Sequence, residues 1–373
     1  MILRGLIAAA LALGVAAPAA AALPKLDVRV AEQIRDDAKV PARITAGGRT
    51  FRAGIELRGH SSQAFPKKPY AFEADERVRL LGMPRERDWV LNAAYTDPTL
   101  LRDVLAHDAA RRLGLAASRV RHVVLRINGR YRGVYALMER AELSRRRVQG
   151  DALLELTERR KLDRGDESFP AAGGLAVRHV EPDEAGKKNA RAARRAVAAF
   201  EAALAGPGWR AHLDEASAVD YILLTELLRN QDALRSSTYL HLREDGKLAF
   251  GPVWDFDLSA GNVVEPALAS PEGWTLTDRV WAGSLVADPG FRAALAARWR
   301  ALRAAGFVEA LIRSIDRRAR SLRGPARRNF ERWPTLGRAV FRNQPAQPSH
   351  ATAVAALKDW LARRAAWLDG ALG

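Results

Sequence analysis

A tight hairpin signal in the first half of the chain is the feature that most constrains the fold. Asn128-Gly129 separates two apolar runs, Val120 to Ile127 and Gly133 to Met138, and an Asn-Gly turn between such runs predicts two antiparallel strands. Short apolar segments between residues 40 and 72 predict further strands, whereas the chain from Pro289 onward has mainly helical periodicity. The sequence therefore predicts an α+β protein with a helical C-terminal region.

The middle of the chain contains a second hairpin signal. The segments Ser237 to Leu242 and Leu248 to Phe250 flank the turn Glu244 to Lys247, and this arrangement predicts two more strands. The preceding stretch, Asp220 to Asn230, has the periodicity of a helix. Residues 159 to 188 are charged and contain several Gly and Pro residues, so we expect a surface insertion there.

Acidic residues follow both the predicted helix and the second hairpin. The first group is Asn230-Gln231-Asp232, and the second is Trp254-Asp255-Phe256-Asp257. In a strand, Asp255 and Asp257 point to one side while their aromatic neighbours point to the other. Two carboxylates on one side suit Mg²⁺, which completes its coordination with water and substrate phosphates. An Asp-x-Asp after Gly-Pro is also typical of turn caps, and that alternative stays open.

The N-terminus has the pattern of an export signal. Arg4 precedes an apolar run from Leu6 to Ala17, Pro18 interrupts the run, and Ala20-Ala21-Ala22 offers a cleavage site. An uncleaved anchor is the alternative, although the apolar run is short for a spanning helix. We expect the mature chain to begin near residue 23, to be periplasmic or extracellular, and to have no integral membrane span. The chain has no cysteine, which excludes disulfides and thiolate chemistry.

The chain is strongly basic, with a formal net charge of +17. Such a charge suits nucleic acid, anionic envelope polymers or acidic proteins as partners. The arginines are spread along the whole chain, and no basic segment is interleaved with aromatic residues. We therefore expect no nucleic-acid partner. We interpret the excess charge as solvated helix faces with a general attraction to anionic surfaces.

A series of short motifs in a fixed order is more specific than any of these patterns. The series consists of Glu56 to Ser62, Phe65 to Tyr70, Asp88 to Asn92, Leu100 to Asp103, Asn128-Gly129, Gly133 to Tyr135, Asn230 to Asp232, Arg235 to Thr238, Gly251 to Leu258 and Gly261-Asn262. In these motifs the chain resembles the CotH (spore-coat protein H) kinase-like family, over about residues 55 to 262. The resemblance implies an atypical, two-lobed protein-kinase-like α+β fold.

The resemblance also implies an activity and a division of the chain. The implied activity is metal-dependent transfer of phosphate from ATP to secreted or surface proteins. We expect a signal peptide over residues 1–22, an N-terminal lobe with strands and one helix over residues 23–150, a C-terminal lobe with the metal and catalytic motifs over residues 151–330, and a helical extension over residues 331–373.

A lysine for the nucleotide phosphates is one implied part. Pro69 favours an extended conformation at Lys68, and on a strand Lys68 shares a face with Tyr70 and Phe72. A charge beside apolar side chains needs an anionic partner, and phosphate would serve. We therefore assign the role to Lys68 first and to Lys67 second. The alternative is that both lysines extend their charges to solvent.

The loop after the strand ending at Leu57 is a second implied contact to the phosphates. The loop contains a glycine between Arg58 and the hydroxyl residues Ser61 and Ser62. Such a loop lets phosphates approach the backbone. His60 departs from the family, which usually has Asn at this position.

Two further roles rest on analogy with protein kinases. Glu139 ends a strand that resembles the run into a kinase hinge, whose backbone binds adenine; a surface salt bridge with Arg140 or Arg145 is the alternative. Asp103 or Asp108, on the helix that follows Thr99, is a candidate partner of the phosphate-binding lysine.

The acidic groups supply the remaining roles. We assign Asp232 as the catalytic base, and we assign Asp255 and Asp257 as ligands of Mg²⁺ or Mn²⁺. In the kinase catalytic loop an Asn ligand follows the base Asp by five positions, whereas Ser237 stands at that spacing from Asp232 here. A hydroxyl is a weaker ligand than an amide oxygen, so Asn230 is the alternative to Ser237.

The leading hypothesis is an exported Mg²⁺/ATP-dependent protein kinase-like enzyme that acts on Ser or Thr of secreted or envelope proteins. One alternative is a catalytically silent coat or envelope assembly protein. Another is a metal-dependent phosphohydrolase, which would use the same ligands but deliver water. Compartments outside the inner membrane are poor in ATP, which counts against the enzyme, whereas the presence of all three acidic positions counts against a scaffold.

Overall fold

A computed structural model describes residues 22–36, 38–144, 147–182, 186–341 and 344–373. Residues 1–21, which hold nearly all of the predicted export signal, and Arg145, one proposed partner of Glu139, lie outside the described residues. The described part has mixed α and β structure with two sheets. The predicted α+β class is therefore confirmed.

The first half of the described chain forms a closed seven-stranded barrel. Its strands are β1 (Lys25–Val30), β2 (Val40–Ala46), β3 (Arg49–Leu57), β4 (Tyr70–Arg79), β5 (Arg85–Asn92), β6 (Val120–Ile127) and β7 (Arg130–Glu139). The spatial order is β1-β2-β3-β4-β5-β7-β6, and β1 closes the barrel by pairing parallel to β6. Closure leaves no unpaired sheet edge in this part of the molecule.

Alternating side chains fill the barrel. Along β2, residues 40, 42, 44 and 46 are buried while those between them are more exposed, which is the period of a strand with one face in a core. The interior contains Leu26, Ile44, Ile55, Phe72, Trp89 and Leu125. The hairpin predicted from Asn128-Gly129 is confirmed: both residues have positive φ, 52° and 77°, as the favoured two-residue hairpin turn requires.

The second sheet has five strands in the order β12-β11-β8-β10-β9. The strands are β8 (Ala152–Thr157), β9 (Ser168–Pro170), β10 (Ala176–Glu181), β11 (Thr238–Leu242) and β12 (Leu248–Phe250). The predicted hairpin of β11 and β12 is confirmed. The prediction of a surface insertion over residues 159 to 188 was wrong in part, because β9 and β10 lie within it and pair with β8.

Helices cover the second sheet and make up most of the C-terminal region. They are α1 (Arg102–Leu113), α2 (Gly186–Ala203), α3 (Glu215–Leu228), α4 (Ala282–Ala287), α5 (Pro289–Ala304), α6 (Phe307–Arg332) and α7 (His350–Leu372). Every residue of α3 from Tyr221 to Leu228 is buried, because α1, α5, α7 and β12 all pack around this helix. None of the helices within the described ranges is both long and apolar enough to cross a membrane.

The barrel and the helical region are joined by contacts of α6. The side chain of Asn329 accepts hydrogen bonds from Lys67 and from the backbone of Val134 in β7. This arrangement of a barrel, a second sheet and a helical layer establishes the α+β class but not a two-lobed kinase-like fold. The division into an N-terminal lobe, a C-terminal lobe and an extension also stays a prediction.

Candidate active site

The loop after α3 brings Asp232 to the end of the buried helix. The helix ends at Leu228 because Arg229 has a left-handed backbone, with φ 45°. The Asn230 side chain then accepts a hydrogen bond from the Asp232 backbone N–H, at 3.2 Å, and donates one to the Asp255 carbonyl, at 3.3 Å. The amide of Asn230 therefore ties together the two acidic segments that are separate in sequence.

The segment with Asp255 and Asp257 is not a strand, so the expectation that both carboxylates lie on one strand face was wrong. Residues 251–256 have no strand pairing, and Asp255 has a left-handed backbone with φ 61°. Asp255 Oδ2 accepts a hydrogen bond from Ser237 Oγ at 3.0 Å, and Asp257 Oδ2 accepts one from Thr96 Oγ1 at 2.7 Å. A turn, rather than an extended strand, presents the two carboxylates.

Asp103 is a fourth acidic residue at this place, in the first turn of α1. Its Oδ1 accepts a hydrogen bond from the Phe256 backbone N–H at 2.7 Å, and its Oδ2 accepts one from the Asn92 amide. Burial, together with the negative charge of Asp255, raises the pKa of Asp103 to about 7. The pairing of Asp103 or Asp108 with a phosphate-binding lysine was wrong, because Lys67 and Lys68 donate to other groups and Asp108 pairs with Arg111 and Arg112.

The four carboxylates repel one another. Burial and the charges of Asp255 and Asp103 raise the pKa of Asp257 well above its usual value. Burial and the charge of Asp255 also raise the pKa of Asp232, to about 6, against the opposing charges of Lys161 and Arg235. Buried carboxylates that interact in this way favour a proton or a cation between them. Such clusters of perturbed groups are typical of functional sites.

The donor atoms fit Mg²⁺ held together with a phosphate substrate. Among the residues that the structure describes, no three or more His, Cys, Asp or Glu side chains are gathered as a complete metal site. Mg²⁺ usually takes only one or two protein carboxylates and completes its shell with water and phosphate oxygens. Asp255 and Asp257, with the Ser237 hydroxyl beside Asp255, match that donor set.

A cavity of about 640 Å³ opens at Trp254, the residue before Asp255. None of the four carboxylates lines it, and its wall includes six other acidic residues as well as four basic ones. It is lined by residues of the barrel, of the second sheet and of the Trp254 segment, among them Arg58, Gly59, Trp89, Arg140, Ala141, Tyr239 and Trp254. This volume is within the range of small-molecule sites, roughly 300–1,000 Å³. The cavity is therefore large enough for a nucleotide.

Arg58 stands between the cavity and the carboxylates. Its guanidinium lies over the Trp254 indole, 4.9 Å from the ring centre, and it lines the cavity. Burial lowers the pKa of Arg58, while the charge of Asp255 acts to raise it. Arg58 is therefore the one predicted phosphate-binding cation that the structure brings next to the acidic cluster.

The loop after Arg58 depends on a glycine. Gly59 has φ 86°, and a side chain there would bring its Cβ to 2.1 Å from Ser62 Oγ. Gly59 lines the cavity, whereas neither Ser61 nor Ser62 does. The contact of this loop with phosphates stays a prediction, and the two hydroxyls lie outside the cavity wall.

The two predicted lysines lie away from the acidic cluster. Lys67 is 1% exposed, and its Nζ donates to the Val134 carbonyl at 2.6 Å and to Asn329 Oδ1 at 3.0 Å. Burial lowers the pKa of Lys67 to about 7. Lys68 Nζ donates to the Gln63 carbonyl at 2.5 Å. The expected strand position of Lys68 was wrong, because β4 begins only at Tyr70.

Glu139 lies beneath the cavity rather than in its wall. Its carboxylate is buried, accepts a hydrogen bond from the Arg119 backbone N–H at 2.7 Å, and pairs with Arg147 at 3.6 Å. The alternative of a surface salt bridge with Arg140 was therefore wrong, because the pair is buried and its main partner is Arg147. The cavity is lined instead by the next two residues, Arg140 and Ala141.

Sequence reasoning missed Lys161, which lies between β8 and β9. Its Nζ donates to Ser236 Oγ at 2.8 Å, and Ser236 N–H in turn donates to the Asp232 carbonyl at 2.8 Å. Its positive charge lowers the pKa of Asp232. No carboxylate in the described part of the chain forms an ion pair with it. No local pattern marks Lys161, because only the pairing of β8 with β11 places it there.

Comparison with known proteins agrees with the motif series. A family described as CotH kinase protein matches residues 55–368. The match therefore extends about a hundred residues beyond the motifs and includes α5, α6 and most of α7. The inner spore coat protein H of Bacillus subtilis (strain 168) is 29% identical over 125 residues. That region covers 33% of this chain and 34% of the relative, about a third of its length.

Proposed function

The chain belongs to the CotH kinase protein family, and from this premise we propose that it is an exported, Mg²⁺/ATP-dependent phosphotransferase acting on Ser or Thr of secreted or envelope proteins. The observation that carries the proposal is the group of buried, mutually repelling carboxylates; a cavity of about 640 Å³ is linked to the group through Trp254 and Arg58, which line it. Its members are Asp103, Asp232, Asp255 and Asp257. A site with this excess of negative charge favours a cation, and a cation brings phosphates.

Asp232 is the proposed base. Its pKa of about 6 lies near neutral pH, where a carboxylate can accept a proton without being fully neutralised beforehand. The acceptor hydroxyl oxygen would attack the γ-phosphorus, the bond to the bridging oxygen of ADP would break, and the hydroxyl proton would pass to Asp232. Lys161 and Arg235 would keep Asp232 ionised in the resting protein by lowering its pKa.

Asp255 and Asp257 are the proposed ligands of Mg²⁺, and Mn²⁺ accepts the same oxygen donors. The metal would neutralise the charge that develops on the phosphates. The Ser237 hydroxyl and the Asn230 amide orient Asp255 through its carboxylate and its backbone carbonyl respectively. Either group would be a candidate to complete the metal coordination.

Arg58 and Lys161 are the proposed contacts to the phosphates. Arg58 lines the cavity. Among the residues that the structure describes, Lys161 Nζ donates only to the Ser236 hydroxyl, which leaves two of its three donors for a ligand. Lys67 and Lys68 are less suited, because both donate to protein carbonyl groups. We therefore replace the lysines expected from sequence with these two cations.

A coat assembly role is the second candidate, favoured by the similarity to the inner spore coat protein H of Bacillus subtilis. A protein that serves only as a scaffold gains nothing from unpaired buried carboxylates, since such charges destabilise a folded chain. A phosphohydrolase would use the same groups with water as the acceptor. Export, which rests on the N-terminal pattern, belongs to the proposal as well.

Incubation of the purified protein with γ-labelled ATP and Mg²⁺ or Mn²⁺ tests the proposal. We expect label on the protein itself or on envelope proteins, and we expect Asp255→Asn to abolish it. Asp359→Asn, at an exposed ion pair with Arg363 on α7, is the matched control and should keep full activity. Free phosphate without labelled protein would indicate the hydrolase. Neither turnover nor nucleotide binding would indicate the assembly protein.

A further inference from the structure

A second cavity, of about 660 Å³, lies where α6 passes β6 and the start of β1. Its lining residues are Leu23, Pro24, Leu81, Asp108, Arg121, His122, Ser314, Arg317, Arg318 and Ser321. None of these residues lines the cavity beside the carboxylate cluster. The second cavity is therefore a separate site.

One face of α6 supplies most of the polar lining. Ser314, Arg317, Arg318 and Ser321 are spaced by three and four residues, which places them on the same side of a helix. Arg121 approaches from β6. Two hydroxyls and three guanidinium groups thus border one cavity.

The only carboxylate that lines this cavity within the described residues already has bonding partners. Asp108 is the single carboxylate among the lining residues. It pairs with Arg111 at 3.2 Å and with Arg112 at 3.6 Å, both outside the lining, and it accepts a hydrogen bond from Ser314 Oγ at 2.8 Å. Asp108 is therefore shared among Arg111, Arg112 and the nearby charge of Arg318, so one carboxylate serves several arginines.

The three arginines of the cavity differ in exposure: Arg121 and Arg317 are exposed, whereas Arg318 is half-buried. Within the described ranges, the guanidinium groups of Arg121, Arg317 and Arg318 form no ion pair and no hydrogen bond. Arg318 is partly buried, and burial with the positive charges of Arg111, Arg121 and Arg317 lowers its pKa, although the negative charge of Asp108 acts to raise it. A partly buried cation among other cations destabilises the fold unless an anion compensates it.

We propose that this cavity binds a small phosphate compound that carries several negative charges. Guanidinium groups bind phosphate with paired hydrogen bonds, and the Ser321 hydroxyl, at the end of the same helix face, is a further donor. A cavity of about 660 Å³ has room for more than one phosphate group. The proposal does not depend on the proposed phosphotransferase activity.

Calorimetric titration of the full chain with tripolyphosphate tests this site, with a chelator present so that no metal links the probe to the carboxylate cluster. Arg318→Gln should weaken binding by about tenfold or more, because a charge-assisted hydrogen bond contributes roughly 1.5–3 kcal/mol. Arg320→Gln, which removes an exposed arginine from another face of α6, should bind as the unaltered protein does. Inorganic phosphate should bind more weakly than tripolyphosphate.

Three results would overturn the proposal. Equal weakening in Arg318→Gln and Arg320→Gln would mean a general attraction to the basic surface. Unchanged affinity in Arg318→Gln would place the anion elsewhere. No binding of tripolyphosphate would mean that the cavity takes no phosphate. Thermal unfolding without ligand keeps the test interpretable, since Arg318→Gln removes an unpaired cation and should melt no lower than Arg320→Gln.

Discussion

Two buried acidic residues only six positions apart have pKa values shifted in opposite directions. Asp97 accepts five hydrogen bonds, from Thr99, Leu101 and Arg102, and pairs with the Arg102 guanidinium at 2.5 Å. Although burial acts to raise it, the Arg102 charge and these hydrogen bonds lower the pKa of Asp97. The pKa of Asp103 rises instead to about 7, because burial and Asp255 dominate. A buried carboxylate that is paired with a cation supports the fold. A buried carboxylate beside other carboxylates favours the binding of a proton or a cation.

A second buried carboxylate with a cationic partner lies in the helical region, although burial raises the pKa of Glu226 rather than leaving it lowered as in Asp97. Arg364 of α7 and Glu226 of α3 are buried and 2.8 Å apart. Arg364 also donates to the carbonyl groups of Glu226, Pro271 and Gly273. Glu226 accepts further hydrogen bonds from the backbone of residues 275 and 276. Asp97 and Glu226 thus each have a buried arginine as partner, whereas the carboxylates of the cluster have one another as neighbours.

The largest effect on activity should come from substituting the proposed base and a proposed metal ligand one at a time. Asp232→Asn keeps the shape of the side chain but removes the proton acceptor, so the transfer rate should fall by about a hundred- to ten-thousand-fold, with Mg-ATP affinity nearly unchanged. Asp255→Asn should weaken Mg-ATP binding, because a neutral amide is a poorer Mg²⁺ ligand. Single-turnover kinetics and calorimetry measure the two effects. Equal loss of affinity in both variants would make Asp232 a metal ligand.

Breaking the compensated pair should be the largest effect on stability. Asp97→Ala leaves the buried guanidinium of Arg102 without its carboxylate, and such a change costs about 3–5 kcal/mol of unfolding free energy. Asp103→Asn, a matched change in the uncompensated cluster, should cost little at pH 8 without metal, since it removes a repelled charge. Urea unfolding compares the two. A similar loss in both variants would show that the contrast between them is mistaken.

The two kinds of buried carboxylate should also respond differently to pH. The folded-state pKa values of Asp103 and Asp232, about 7 and about 6, lie above the unfolded values, so the folded chain binds more protons. Their contribution to stability is present below about pH 4 and is lost as pH rises to about 7. Without divalent cations, the unfolding free energy of the wild type relative to Asp103→Asn should fall across this window.

Urea unfolding in a chelator at several pH values measures that difference, and added Mg²⁺ should recover part of the loss at pH 7. Lys67, whose pKa burial lowers to about 7, acts in the opposite direction but only above that pH. A difference between wild type and Asp103→Asn that does not change with pH would mean that Asp103 is compensated after all.

A smaller effect should follow from removing the cation beside the base. Lys161→Met should weaken Mg-ATP binding by about tenfold, the loss of one charge-assisted contact, and should raise the apparent pKa of Asp232 in the pH-rate profile. The pKa change distinguishes a charge next to Asp232 from a merely structural role. Arg164→Met, on an exposed residue of the same loop, is the control. An unchanged pH-rate profile in Lys161→Met would remove the lysine from the site.

The local parts of the molecule were predictable where periodicity and turn chemistry decide the outcome. Both hairpins and the helix before Asp232 follow from short-range patterns, and they formed as expected. The Asp255 segment was not predictable in this way. Its alternating pattern indicates a strand, but the hydrogen bond from the Phe256 backbone to Asp103 and the left-handed Asp255 backbone make it a turn.

The site residues also fall into those that the sequence indicates and those that only the tertiary structure identifies. Asp232, Asp255 and Asp257 are marked in the sequence, because acidic residues at the ends of regular elements stand out from apolar surroundings. Asp103 looked like an ordinary helix charge, Lys161 lay in a segment expected to be a surface insertion, and Lys67 looked like a ligand-binding lysine. Their actual neighbours come from distant parts of the chain, and no local pattern records such contacts.

The sequence by itself determined the α+β class, the hairpins, the motif series of the family and the acidic residues of the candidate site, because these depend on the period of apolar side chains and on turn chemistry within a few residues. Only the tertiary structure decided that the first sheet closes into a barrel, that Asp103 joins the carboxylates, and that Arg58 and Lys161 rather than Lys67 accompany them. Those outcomes depend on burial and long-range charge interactions, which arise only when distant segments pack together.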